Sequence, residues 1–203
     1  MLLNGKCRNC HLPISLLYPF IEVFTTVVLS LLYIFIPLHY FFAYFIFFSA
    51  LIVTIRSDIE TMLISRFATI FLVPLSFFLS AYGLLPISLG ESIFGALFGY
   101  FFLLSINAIF KYLRNYDGIG EGDFDLMLFI GSFTGIVGCW ITIMLGSMLG
   151  SLYGLSVLLL TKNNAHHEIL LQTTKIPFGP FLAFGAFLFI FGQQQILHYL
   201  LMN

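Results

Sequence analysis

Charge is scarce in this chain: eight basic and nine acidic side chains serve 203 residues, or 8%, where a soluble domain carries about 25%. So few polar groups exclude a water-facing shell around a core. What fills the chain instead is apolar: 60% hydrophobic residues, with 26 Phe and 10 Tyr, and a mean hydropathy of +1.04. Strict alternation of polar and apolar residues is also missing, which argues against a membrane β-barrel. The first hydrophobic run lacks a small-residue cleavage site, so it reads as a permanent span rather than a signal peptide.

Bilayer hydrocarbon requires about 20 apolar residues per helical span, with backbone groups satisfied within each segment. Seven runs qualify, at roughly 19–36, 39–55, 67–85, 92–110, 126–145, 147–161 and 178–196. The expected fold is an all-α polytopic membrane bundle of about seven transmembrane helices. Residues 1–18 form a short segment ahead of the membrane domain at 19–203. Basic residues are absent from the links near Pro37, Gly83–Glu91 and Gly146. All eight (Lys6, Arg8, Arg56, Arg66, Lys111, Arg114, Lys162 and Lys175) fall in the N-terminal segment or in alternate loops. The positive-inside rule then places the N-terminus in the cytoplasm.

The acids are also unevenly placed. Four of the nine lie between Asp117 and Asp125, in and beside the stretch GIGEGDFD, and Asp58 and Glu60 end the second run. Both clusters lie on the cytoplasmic side at similar depth, so acids distant in sequence can meet if their helices pack. A spacing of two residues points helical side chains to nearly opposite faces, so one acid per cluster is expected to face a shared cavity. Two facing carboxylates do not ionise together, which leaves one acid and one base. Such a dyad activates water and protonates a peptide carbonyl or leaving amine. Plainer roles stay open: Asp123 as a helix N-cap, Asp58 and Glu60 as partners of Arg56 or Arg66, or glycine and acid together as ligands of a divalent cation. Glu91 suits helix capping. Gly95 with Gly99, and Gly146 with Gly150, form GxxxG patterns that permit close helix contact.

GEGDFDLM resembles the GxGD motif of membrane aspartic proteases, and the chain as a whole resembles type IV prepilin peptidases. Asp58 in IRSDIETMLIS matches that family's first catalytic aspartate; Asp123 matches the second, with Gly120 and Gly122 as the motif glycines. CRNCHLPISLLYPFIEVFT resembles its cysteine-containing cytoplasmic segment. IPFGPFLAFG, carrying Pro177, Gly179 and Pro180, resembles its final-span motif. The resemblance implies cleavage of leader peptides from type IV prepilins or type II secretion pseudopilins at the cytoplasmic face of the bacterial inner membrane. It implies catalysis by Asp58 and Asp123 with no cofactor for proteolysis, and no nucleic-acid partner. It does not specify an oligomeric state.

Three departures stand out. Where the family has Pro-Asp, this chain has Ser65 and Arg66, and Asp125 stands where Lys is common. Facing inward, Asp125 would disfavour ionisation of Asp123. The third is at the N-terminus, which begins near the second of the family's two CxxC pairs. N-methyltransferase activity is therefore expected to be absent, and S-adenosylmethionine is not an expected cofactor. Cys7 and Cys10 supply two of the four ligands a structural zinc wants. Zinc at that pair, with help from His166 and His167, competes with a pair of reduced thiols. Cys139 reads as packing. The rival readings are a catalytically inactive homologue and a divalent-cation transporter. The transporter would carry polar residues near mid-span, whereas these acids cluster at one interface.

Overall fold

The computed structural model describes residues 17–161 and 177–202, and every regular element among them is a helix. In chain order these are α1 (Leu17–Phe35), α2 (Leu38–Thr61), α3 (Arg66–Ile70), α4 (Val73–Ala81), α5 (Leu89–Arg114), α6 (Glu121–Thr161) and α7 (Gly179–Met202). Four of them, α1, α2, α5 and α6, are long and apolar enough to cross a bilayer. The protein is a multi-pass membrane bundle, and Tyr33, Phe42, Phe67, Phe94 and Trp140 face outward.

Local chemistry explains most boundaries. Pro37 separates α1 from α2, because proline disfavours helical geometry in the residue before it. A capping box opens α5: Ser88 Oγ accepts from the Glu91 N–H at 3.2 Å, and the Glu91 carboxylate accepts from the Ser88 N–H at 2.8 Å. Two of that helix end's free donors are thereby satisfied. Asn115, with φ of 60°, closes α5 in the left-handed conformation that Asn tolerates better than most residues.

Two expected spans look different in the structure. The run at 67–85 is two helices, because Pro74 lies in the first turn of α4. Its ring would clash with the carbonyl four residues back, and it has no N–H to donate there. The break falls between Ile70 and Val73.

The second difference is larger. The turn between the fifth and sixth runs lies at Gly135, ten residues before the expected link at 145–147. The 41 residues of α6 are two arms, 121–134 and 136–161, joined at Gly135 with φ 70° and ψ −174°. Only glycine adopts that backbone region readily. The chain doubles back there. Cys139 Sγ lies 4.0 Å from the Met127 carbonyl oxygen, 12 residues earlier, a separation of about 18 Å along a straight helix. The first arm is about 21 Å long at 1.5 Å per residue, short of the roughly 30 Å of hydrocarbon, so its end is buried in the bundle. There Ser92 Oγ donates to the Ser132 carbonyl, satisfying one of the terminal acceptors.

Both GxxxG pairs pack within the chain. A Cβ on Gly95 would collide with the backbone of Gly131 and Gly135, and one on Gly99 would stand 2.5 Å from the Met127 carbonyl. The notch made by Gly95, Gly99 and Gly131 holds Cys139, whose thiol donates to the Gly95 carbonyl at 3.3 Å. Gly146 and Gly150 face Leu182 and Phe178 at the start of α7. Against α2, the first arm of α6 is held by three rings. Phe47 lies 5.3 Å from Phe129 and 5.0 Å from Phe133, which are themselves 5.1 Å apart.

Gly135→Ala is expected to lower stability by about 1–3 kcal/mol, the cost of a non-glycine residue in this region. Thermal unfolding in detergent would measure it. Gly90→Ala is the control: its Cβ would meet only Ser88 Oγ, at 4.0 Å, so the change should stay within about 0.5 kcal/mol.

Candidate active site

A cavity of about 730 Å³ opens where α2 and α5 end and α6 and α7 begin, and both Asp58 and Asp123 line it. Each carboxylate arrives by a different local route. Asp58 sits in the last turn of α2, which ends at Met62 in the left-handed conformation. Asp123 is the third residue of α6, and its N–H donates to the Gly120 carbonyl at 3.1 Å. Both side chains are buried, 6% and 8% exposed, so neither can be relaxed by bulk water alone. Asp123 therefore belongs to the first turn of α6 rather than capping it.

The motif glycines and prolines shape this approach. A Cβ at Gly122 would stand 2.8 Å from Ile64 Cβ, so the segment after α2 reaches the first turn of α6 only over glycine. A Cβ at Gly120 would lie 3.4 Å from Asp123 Oδ2. The start of α7 aims at the other acid: the Gly179 N–H donates to Asp58 Oδ2 at 3.1 Å. That contact sets the positive end of the α7 dipole beside Asp58. Pro180 fits there because a first-turn residue needs no N–H. Phe178 accepts the N–H groups of Phe181 and Leu182 through its carbonyl. Pro177 and Phe178 also line the cavity.

The other acids are held elsewhere. Glu60 pairs with Arg56 at 3.3 Å on an exposed helix face. Asp125 is turned away from the cavity and meets Arg66 Nε at 3.1 Å, while Arg66 Nη2 reaches Glu121 at 2.8 Å. The two departures from the family pattern near the acids, Arg66 and Asp125, are thus partners. In this chain the two positions are joined by one ion pair. In the loop before α6, Lys111 Nζ lies 3.1 Å from Asp117 Oδ2. That ammonium, followed by the Asn107 amide, holds the Asp117 carboxyl below the usual carboxylate range.

The pairing of Arg66 with Asp125 predicts a double-mutant result. Arg66→Asp sets three carboxylates together and is expected to cost up to about 1 kcal/mol, since Arg66 is largely exposed. Asp125→Lys sets two cations together at a buried position and is expected to cost more. Arg66→Asp with Asp125→Lys should recover most of that loss, read as thermal stability in detergent through a double-mutant cycle.

Several lining residues carry no motif signal: Asp117, Gly118, Met62, Ser147 and Ser151. Asn107 was also not singled out from the sequence, although a lone amide in the apolar run LLSINAIF is the kind of intramembrane polar group that marks a function. Among the described residues no three His, Cys, Asp or Glu side chains are grouped to hold a metal. Cys7, Cys10, His166 and His167 lie outside the described residues.

The model of the Type IV leader peptidase family matches residues 45–155, a range containing both aspartates, and that of the Bacterial Peptidase A24 N-terminal domain matches residues 1–36. A prepilin leader peptidase/N-methyltransferase of Aeromonas hydrophila is 31% identical over 204 residues, covering 99% of this chain and 67% of the relative. The protein of that name from Pseudomonas aeruginosa is 31% identical over 199 residues, covering 96% and 64%. One from Burkholderia pseudomallei is 30% identical over 185 residues, covering 91% and 57%. The chain thus spans about two thirds of the length of such relatives or less. No solved structure matches it significantly. With a matching family model over more than half its length and two acids meeting at one cavity, the chain belongs to the type IV leader peptidase family.

Proposed function

We propose that this protein is an aspartic endopeptidase of the bacterial inner membrane. It removes the leader peptide of type IV prepilins or type II secretion pseudopilins at the cytoplasmic face, with its N-terminus on that side. The observation that carries this reading is that Asp58 and Asp123, from opposite halves of the chain, line one cavity. Glu60 and Asp125 are engaged by arginines instead.

The chemistry follows from one proton shared between two carboxylates. The ionised carboxylate takes a proton from water as the oxygen attacks the scissile carbonyl. The protonated carboxyl donates to that carbonyl oxygen, and collapse of the tetrahedral intermediate passes a proton to the leaving amine. Leu103, Ile106, Ile143 and Phe181 give the cavity apolar walls that suit an extended peptide running into a hydrophobic helix. The Gly179 N–H fixes one oxygen of Asp58, leaving the other to act. Asp58 and Asp123 are assigned as a pair, with acid and base roles not divided between them.

Co-expression with a prepilin tests the proposal. A leader-dependent gel shift is expected, and the mass of the product's N-terminus reports separately on methylation. An unshifted prepilin in the presence of membrane-inserted protein would favour the inactive homologue.

A further inference from the structure

The loop that delivers Asp123 is tied to α5 by the Lys111–Asp117 pair at its exposed edge and, in the interior, by the amide of Asn107. Asn107 is 9% exposed, in the interior of α5. Its Oδ1 accepts from the Gly118 N–H at 2.9 Å and the Ile119 N–H at 3.0 Å, while its Nδ2 donates to Asp117 Oδ1 at 3.2 Å. All three bonds reach the segment 117–119, so three of the four this buried amide can make go to one loop. Close approach is enforced from the other side as well: a Cβ on Gly118 would stand 2.6 Å from the Phe110 ring.

We infer that Asn107 is a positioning residue for the active site, acting through the 117–120 loop to hold Asp123 at its working distance from Asp58. The inference rests on the peptidase reading. The linkage is short. Asn107 fixes Gly118 and Ile119, the next residue is Gly120, and the Gly120 carbonyl receives the Asp123 N–H at 3.1 Å. Gly118, Ile119 and Gly120 are also part of the cavity wall, so the loop that aims the acid also borders the substrate. Glycines on both sides of Ile119 leave this stretch little stiffness of its own, and the three bonds from Asn107 supply it.

The test uses full-length protein in detergent or proteoliposomes with a prepilin substrate. Asn107→Ala is expected to lower kcat by about 10–100-fold, the penalty for loss of alignment near 1 Å, with KM changed less than about 3-fold. Asn107→Asp sets a carboxylate against Asp117 and should also be impaired. Adding Asp117→Asn to it restores every bond with the roles exchanged: Asp at 107 accepts from both loop amides and from Asn at 117, which in turn accepts from Lys111. Recovery of kcat in the double variant to within about 3-fold of wild type is expected. A second readout needs no activity: hydrogen exchange of the Gly118 and Ile119 amides should accelerate in Asn107→Ala. Unchanged kcat or unchanged exchange in Asn107→Ala overturns the positioning role, as does a double variant no better than Asn107→Asp. Failure of the wild-type protein to cleave any prepilin, with those amides still protected by Asn107, would count against the peptidase reading instead.

Discussion

Asp58→Asn and Asp123→Asn are each expected to reduce leader cleavage by about 10²–10⁴-fold, while the protein accumulates in the membrane at normal levels. Asparagine keeps the shape of the side chain, and its carbonyl oxygen at position 58 can still accept from the Gly179 N–H that Asp58 now receives. What it removes is the ability to take and return a proton. Because the cycle needs one protonated and one ionised carboxylate, the wild-type rate should fall on both sides of an optimum. It is lost in acid, where both groups carry protons, and in base, where neither does. Glu60→Gln is the contrasting case. Glu60 sits in an exposed pair with Arg56, so its replacement should change the rate by less than about 3-fold. The fraction of co-expressed prepilin that is shortened reports all of these. Near-normal cleavage by either Asn variant would remove the dyad from the mechanism.

Gly179→Ala should also slow cleavage, by less, for a steric reason. The new methyl would stand 2.7 Å from Asp58 Oδ2 and 3.4 Å from Ile64 Cδ1, so the start of α7 must retreat. The amide that fixes one oxygen of Asp58 then moves with it. A displacement on that scale is worth about 10–100-fold in rate, expected in kcat rather than in the amount of folded protein. Gly192→Ala, on the same helix with nothing within 4 Å of its Cβ, should leave the rate unchanged. Equal rates for both alanine variants would mean that the α7 N-terminus does not hold Asp58.

These two predictions draw on different kinds of information. Asp58 and Asp123 were identifiable from their motifs and from their place beside the loops that carry the basic residues. Gly179 was legible only as part of a motif, because nothing in IPFGPFLAFG says that its amide points at an acid 121 positions away. Arg66 and Asp125 looked like two separate departures from the family pattern. Their pairing across 59 positions makes them one feature, and holds Asp125 outside the cavity; it would disfavour ionisation of Asp123 only by facing inward. Asn107 carried only the weak signal of an amide in an apolar run, since its partners lie beyond the end of its own helix.

From the sequence by itself came the membrane class, the helical bundle, the approximate spans and the side on which the acids gather. These are set by hydropathy and charge summed along roughly 20 consecutive residues, which a linear reading captures. The tertiary structure alone decided where the chain turns and which groups meet. One glycine of 17, Gly135, takes the backbone conformation that folds α6 on itself, and its neighbours in sequence do not mark it. Gly146, where the turn was expected, faces α7 instead. Which helix ends converge on the cavity depends on side-chain packing between distant segments. That packing brings the Asp58 carboxylate, the Asp123 loop and the Gly179 amide to a single place.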